Sequence, residues 1–206
     1  VYRQVVDQRN ALLEQRRGRN DTYMILTEQL WEKSQEIQQR RSELLQAIQH
    51  EVNGLITEYF DNDFTITYRY SPKYTHHETV QQFYDNNPAL YEQEARYGRS
   101  LFGAHLDDMV ILFHDKHSKH YASRGQQKLI VLLTKIAVMR HLAVSNEAAV
   151  FVLDDFMTDF DSVRAQSLIN LLVNLNNQLI FTSPLEGGIL RDVLGKRGAH
   201  VVKLTY

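Results

Sequence analysis

The sequence of 206 residues has no cysteine, so it carries neither a disulfide framework nor a thiolate metal site, which fits a reducing compartment. It also lacks long apolar runs. None approaches the roughly 20 residues of a membrane-spanning helix, and no signal-peptide pattern is visible. Charge of either sign is not in excess: 23 basic and 25 acidic residues leave a formal net charge of -2. The field of the whole molecule will therefore not attract DNA, and any nucleic-acid contact must come from local patches. There is no internal repeat and no low-complexity tract. What remains is the composition of an ordinary globular chain, 43% hydrophobic and 23% charged, long enough for one large domain or two small ones. The chain opens on Val1 and runs straight into a helical pattern, as expected of a piece of a longer protein cut or trimmed inside an element.

The stretch around which the rest is organised is Val150 to Asp161, VFVLDDFMTDFD. Val150 to Leu153 is too short an apolar run for a helix and ends in two acids, Asp154 and Asp155. The spacing predicts a buried strand with carboxylates at its C-terminal edge, where open α/β sheets bind ligands. Adjacent carboxylates there suit phosphate chemistry, in which one holds a divalent cation and the other polarises a water for attack on phosphorus. Asp159 and Asp161 follow in the loop. The plain alternative is a strand that merely runs into a polar loop.

Upstream, Val1 to Arg17 reads as a polar helix with Val5, Val6, Leu12 and Leu13 as its apolar points, stopped by Gly18. Asn20 or Asp21 caps a second helix with apolar residues at Tyr23, Leu26, Leu30, Ile37, Leu44, Ile48, Val52, Leu55 and Tyr59. Spacings of three, four and seven predict a long antiparallel arm packed on the first helix along one seam. Arg16, Arg17 and Arg19 stand at its tip, and Arg40 and Arg41 midway. They read either as a solvated face salted with Glu28, Glu32, Glu36 and Glu43, or as phosphate contacts. From Asp63 to Tyr70 the period changes to two, a half-buried strand. A weaker helical stretch from Glu78 to Arg96, broken near Pro88, contains Tyr84 and Tyr91, which with Tyr97 read as packing rather than base stacking. Met109 to Phe113 reads as a strand, Asp115 to Lys119 as a turn, and Arg124 to Val144 as a strongly apolar helix. A helix from Val163 to Leu175, a strand from Gln178 to Phe181, a short helix near Ile189 and a strand from His200 to Leu204 complete an alternating α/β pattern.

The segment ASRGQQK, Ala122 to Lys128, places Ser123 and Gly125 at the start of a helix. Free backbone N–H groups, the helix dipole and a serine hydroxyl converge there, which is how a protein holds a terminal phosphate without a lysine. A serine before a helix is by itself only a cap. The order carries more: this segment, then the strand ending in Asp154 and Asp155, then TDFD, then a strand ending in Thr182 and Ser183.

In that order the chain resembles the second half of the ABC-type ATPase heads of the structural-maintenance-of-chromosomes class, most closely the RecF family of bacterial recombination and repair proteins. Ser123, Arg124, Gly125 and Gln126 look like the signature motif, which binds nucleotide in trans. Val150 to Asp155 looks like the Walker B strand, so the resemblance implies that Asp154 orders magnesium with ATP and that Asp155 sits at the catalytic carboxylate position. Thr158 to Asp161 is similar to the D-loop, with Thr, Asp and Phe for the commoner Ser, Glu and Leu. GAHLDD, Gly103 to Asp108, resembles a hallmark of the family, with Ala104 and Leu106 where proline and arginine are usual. Trp31 and Arg40 are placed as in the family's helical second domain. Thr182 and Ser183 replace the histidine many ABC proteins carry and are the candidates for sensing the terminal phosphate.

The fold implied is α/β: an incomplete ABC-ATPase head, its C-terminal lobe, with an antiparallel helical-hairpin arm. Residues 1–60 would be the arm and 61–206 the ATPase part. No GxxxxGK[ST] loop occurs, so the Walker A portion is expected upstream, and ATPase activity would need that portion and a second subunit. The resemblance further implies ATP and magnesium as cofactors, an ATP-dependent homodimer on double-stranded or gapped DNA, and help in recombinase loading with RecR and RecO as partners. Arg16, Arg17, Arg19, Arg40 and Arg41 are the DNA-contact candidates. It implies a bacterial cytoplasmic, nucleoid-associated protein with no membrane contact. Two other readings fit the same residues: an ATPase subunit of an anti-phage or nuclease-associated system, and a helical-arm interaction module without ATPase activity. His114, His117 and His120, with Asp115 and His105, suggest zinc by composition, but a turn does not converge ligands at that spacing; His76 and His77 suggest it less.

Overall fold

The computed structural model describes residues 1–15, 20–60, 64–74, 79–142, 150–154, 159–175 and 177–182, with 195, 198, 200 and 202. Packing divides the chain into two compact units, residues 1–46 with 68–110 and residues 47–67 with 111–206. The arm-and-head division at residue 60 follows motifs instead of packing.

In the first unit, helix α1 (Tyr2–Glu14) runs antiparallel to the N-terminal part of helix α2 (Asp21–Tyr59). The direction follows from the contacts, because Tyr2 reaches Ser34 whereas Arg9 reaches Thr27 and Tyr23. Val5, Val6, Leu26 and Leu30 from these helices form one core with Phe83, Leu90 and Phe102. Helices α3 (Val80–Asn86) and α4 (Leu90–Tyr97) supply Phe83 and Leu90 and are separated at Pro88, as the sequence predicts. A capping box between Thr79 and Gln82 starts α3, and Gly98, at φ 63°, ends α4 in the left-handed conformation that favours glycine. Tyr84 and Tyr91 pack inward, but Tyr97 is exposed.

The seam of the arm differs from the apolar pattern. Leu44 is exposed and Ile37 only half-buried, while Thr27, Ser34 and Gln38 are buried. These polar residues are hydrogen-bonded, Thr27 to Arg9 and the other two within α2 or to Asp107. Ser34 Oγ donates to the Leu30 carbonyl at 2.6 Å, and Gln38 Nε2 donates to the Asp107 carboxylate at 2.7 Å. Helix α1 is likewise more than a polar helix with four apolar points, since Arg9 is fully buried. A hydrogen-bonded polar group costs little to bury, so apolar spacing alone misplaces the seam.

In the second unit the C-terminal part of α2 buries Ile48, Val52, Leu55 and Ile56. Asn53 pins the start of strand β1 (Ile66–Ser71): its Oδ1 accepts from the Ile66 N–H at 3.0 Å and its Nδ2 donates to the Ile66 carbonyl at 2.8 Å. The predicted alternation holds, with Phe64, Ile66 and Tyr68 buried and Thr65 and Arg69 exposed. Strand β2 (Asp108–Phe113) turns into strand β3 (Lys116–His117) through His114 and Asp115, at φ 47° and 62°, and the three strands are ordered β1-β2-β3. A two-residue hairpin of this kind needs positive φ at both central positions.

Helix α5 (Ser118–Tyr121) leads into helix α6 (Arg124–Leu142), which buries Leu129, Ile130, Leu133, Ile136 and Ala137. Strand β4 (Val150–Leu153), helix α7 (Ser162–Val173) and strand β5 (Gln178–Phe181) form a parallel β-α-β unit in the register Val150↔Gln178 to Leu153↔Phe181. One expectation is corrected: β4 is not a fully buried strand. Val150 and Val152 are 54% and 65% exposed, whereas Leu153 is buried, so the strand covers one face only. The helix near Ile189 lies outside the described residues, and of the strand expected from His200 only His200 and Val202 are described, in no regular element. No helix among the described residues is long and apolar enough to cross a membrane.

Candidate functional site

The described nucleotide-site candidates fall into two groupings within the second unit. The first is built on the N-terminus of α6. Ser123 Oγ accepts from the Gln126 N–H at 3.2 Å, and Gln126 Oε1 accepts from the Ser123 N–H at 2.8 Å, a reciprocal capping box. Ser123 is exposed, and its hydroxyl keeps a proton to donate outward. The N–H groups of Arg124 and Gly125 belong to the first turn, which has no intrahelical acceptors, so hydroxyl and amides together present an anion-binding end. Gln127 fixes the approach to this turn, its Nε2 donating to the Ala122 carbonyl at 2.9 Å and to those of Ser118 and Lys119 at 3.3 Å.

Gly125 faces the loop before α7. A Cβ at this position would stand 2.5 Å from the Asp159 carbonyl oxygen, so the close approach of backbone to helix requires glycine. One turn further along α6, Lys128 Nζ pairs with the Asp159 carboxylate at 2.6 Å. Both side chains are over a third exposed, at 39% and 36%, so the pair contributes about 0–1 kcal/mol to folding. Asp161 caps α7, accepting from the N–H groups of Val163 at 3.1 Å and Arg164 at 2.9 Å. The hydrogen bond from the Arg164 backbone, followed by the Arg164 charge and the other backbone N–H groups, holds its carboxyl below the usual carboxylate range.

The second grouping is at the ends of the parallel strands. Asp154 follows β4 and is exposed; Thr182 follows β5. The Thr182 N–H donates to the Leu153 carbonyl at 3.1 Å, continuing the ladder, and its Oγ1 donates to Asp154 Oδ1. Thr182 thus meets a carboxylate, and its hydroxyl orients it. A carboxylate at the C-terminal edge of a parallel strand is the oxygen donor that magnesium accepts beside phosphate oxygens and water, so Asp154 fits that ion. Asp155, Thr158 and Ser183 lie outside the described residues, as do Arg16, Arg17, Arg19, His76 and His77.

In the first unit, Arg40 pairs with Glu36 at 2.7 Å on the exposed face of α2, and Arg41 donates to the Ala104 carbonyl at 2.5 Å and to the Tyr70 hydroxyl at 3.4 Å. The GAHLDD segment is a structural corner: Gly103 sits at φ 118°, Ala104–Leu106 form a 3-10 turn, and the Asp107 carboxylate accepts from Gln38, Tyr70 and the Lys73 N–H. Among the described residues, the histidines are placed apart from one another. His105 bonds to the Tyr2 hydroxyl at 2.9 Å, the His117 and His120 rings are 6.3 Å apart, and no group of three potential ligands occurs among the described residues.

Sequence reasoning missed Lys128, Gln127 and the Arg9–Glu94 pair. Lys128 closes the ASRGQQK segment, but its partner lies 31 positions away and no local spacing signals it.

No protein-family model matches the chain. Among curated proteins it is 30% identical over 193 residues to the DNA replication and repair protein RecF of Acholeplasma laidlawii, covering 91% of this chain and 53% of that protein. It is 32% identical over 203 residues to RecF of Lactobacillus johnsonii, covering 90% and 53%. The chain therefore spans about half the length of the curated relatives it matches. Among solved structures, the recombination mediator protein RecF with ATP, in the RecFOR pathway, superposes with a TM-score of 0.70 at 22% identity, over 91% of this chain and 52% of that one. A second RecF structure, with ATPrS, gives 0.68 at 22% identity. The likeness is one of fold, an α/β chain that corresponds to about half of the matched structures. In sequence and in fold, over about nine-tenths of its residues, this chain resembles the C-terminal portion of RecF.

Proposed function

We propose that this chain is the signature and Walker B part of an ATP-dependent recombination and repair protein of the RecF type. The observation that carries the reading is the presence, in the order the family uses, of an exposed serine that caps α6 and of a carboxylate at the end of a parallel strand. Residues 1–60 act as a helical arm and 61–206 as the C-terminal part of the ATPase head. The phosphate-cradling Walker A loop is supplied by a portion preceding these residues.

Each part of the site then has a role. Ser123, Arg124, Gly125 and Gln126 of one subunit close over the terminal phosphate held by the other, with the Ser123 hydroxyl and first-turn amides as donors. Asp154 would hold magnesium when it is bound with ATP, and the Thr182 hydroxyl keeps that carboxylate in place. Asp155 is the candidate base for the attacking water, and Ser183 with Thr182 the candidates for sensing the phosphate. ATP, when bound, would supply the phosphate charge that the Ser123 hydroxyl and the first-turn amides meet across the two subunits, with magnesium offsetting part of it. Two heads clamp double-stranded or gapped DNA, with Arg16, Arg17, Arg19, Arg40 and Arg41 as phosphate contacts. RecR and RecO are the partners, recombinase loading is the outcome, and the setting is the bacterial nucleoid.

Light scattering of the full-length protein, wild type and Ser123→Arg, with and without ATP and magnesium, tests this reading. Wild type is expected to dimerise only with nucleotide, and the variant to stay monomeric while still binding ATP. Dimerisation of both without nucleotide, or of neither with it, refutes the composite site.

A further inference from the structure

We infer that Lys128 is a positioning residue, which ties the D-loop to the signature helix so that the two move as one body. The inference rests on the composite-site reading above and adds a residue to it. Gly125 and Lys128 are three positions apart on α6 and so share a face. Both meet Asp159: the glycine lets the Asp159 carbonyl approach the helix backbone, and the lysine holds the Asp159 carboxylate at 2.6 Å. Two residues later Asp161 is fixed as the cap of α7. The loop from Asp159 to Asp161 is thus anchored at one end to the signature turn and at the other to the helix that follows Walker B.

Nucleotide engaged at Ser123 acts on the first turn of α6, and Gly125 and Lys128 are the next residues along that helix. A shift of the turn is therefore transmitted to Asp159 in the same subunit, directly and without an intervening element. The ion pair also commits the Asp159 carboxylate to α6 of the same subunit. Its exposure argues that the pair serves geometry, because a pair more than a third exposed adds little to the stability of the fold.

The test uses the full-length protein with Lys128→Glu and Lys128→Arg. Three quantities are read: the melting temperature, ATP-dependent dimerisation by light scattering, and hydrogen exchange of the peptide covering residues 159–163. Lys128→Glu is expected to melt within about 2 °C of wild type, as surface changes do. It should dimerise at least about fivefold more weakly, a factor corresponding to the upper range of such pairs. Exchange at residues 159–163 should rise while α6 stays protected, and Lys128→Arg should restore both. Wild-type exchange and dimerisation in Lys128→Glu overturn the inference and leave the composite site standing. Equal weakening in Lys128→Arg also overturns it, because a charge-preserving variant keeps the pair. A wild type that does not dimerise with ATP refutes the underlying reading, and the inference with it.

Discussion

Arg9 and Glu94 form a bidentate ion pair, with Nη1 to Oε1 at 3.0 Å and Nη2 to Oε2 at 2.6 Å, and neither residue has any solvent exposure. Every remaining donor and acceptor is engaged. The guanidinium also donates to Thr27, Ser100, Tyr23 and Tyr84, and the carboxylate accepts from the Leu101 N–H at 2.8 Å. Arg9 lies over the rings of Tyr23 and Phe102 at 4.7 and 4.8 Å. Burial opposes the Arg9 charge, but Glu94 outweighs it and holds the guanidinium above its usual range; burial also pushes the Tyr23 and Tyr84 hydroxyls up.

Removing one partner leaves a charge buried alone. Glu94→Gln or Arg9→Met is expected to cost about 3–5 kcal/mol, a large share of a domain's stability, measured by thermal or urea unfolding. A cost under about 1 kcal/mol would show that the pair does not hold α1 to α4.

Gly125→Ala sets a Cβ against the backbone of Asp159 and not against a flexible side chain. The helix propensity of alanine favours the change by up to about 1 kcal/mol. The clash, at a cost of about 1–3 kcal/mol, should win. Net destabilisation with α6 still helical by circular dichroism is the expected outcome; a more stable variant would place the loop elsewhere.

Ser123→Ala removes the side-chain half of the capping box and should cost about 1 kcal/mol, while Ser123→Asn or Ser123→Asp should retain most of the stability. If the serine is also a phosphate donor, Ser123→Asp keeps the fold and loses nucleotide-dependent dimerisation through charge repulsion. Melting and light scattering on the same samples separate the two roles.

His105 has its pKa lowered chiefly by burial, against the opposing pull of Asp107. Its ring meets the Tyr2 hydroxyl, and the charged groups acting on it are Asp107, Lys73 and Arg9. The folded chain resists protonation more than the unfolded one, so the unfolded state binds the extra proton first as pH falls below about 6.5. Stability should decline from there down to the depressed pKa and then level off. The difference between wild type and His105→Gln, followed by unfolding from pH 7.5 to 5, should show that decline. Its absence would mean that His105 is solvated.

Much of the element order was legible because it depends on short-range patterns. The period of two from Phe64 to Tyr68, the break at Pro88, the span of β5 and the serine that opens α6 are all set by neighbours within a turn or a strand. The candidate site was legible in its parts for the same reason: Ser123 and Gln126 are three residues apart, and Asp154 closes an apolar run.

What only the tertiary structure decided are the pairings between segments distant in sequence. Arg9 with Glu94, Gln38 with Asp107, Gly125 and Lys128 with Asp159, and Thr182 with Asp154 each join such segments. A buried arginine on a helix that reads as polar, and an exposed Val152 on a strand that reads as buried, have the same cause. Spacing along the chain fixes which residues share a face, but burial is set by what packs against that face. A polar side chain goes inside whenever another segment brings it a partner, and an apolar one stays outside when none covers it.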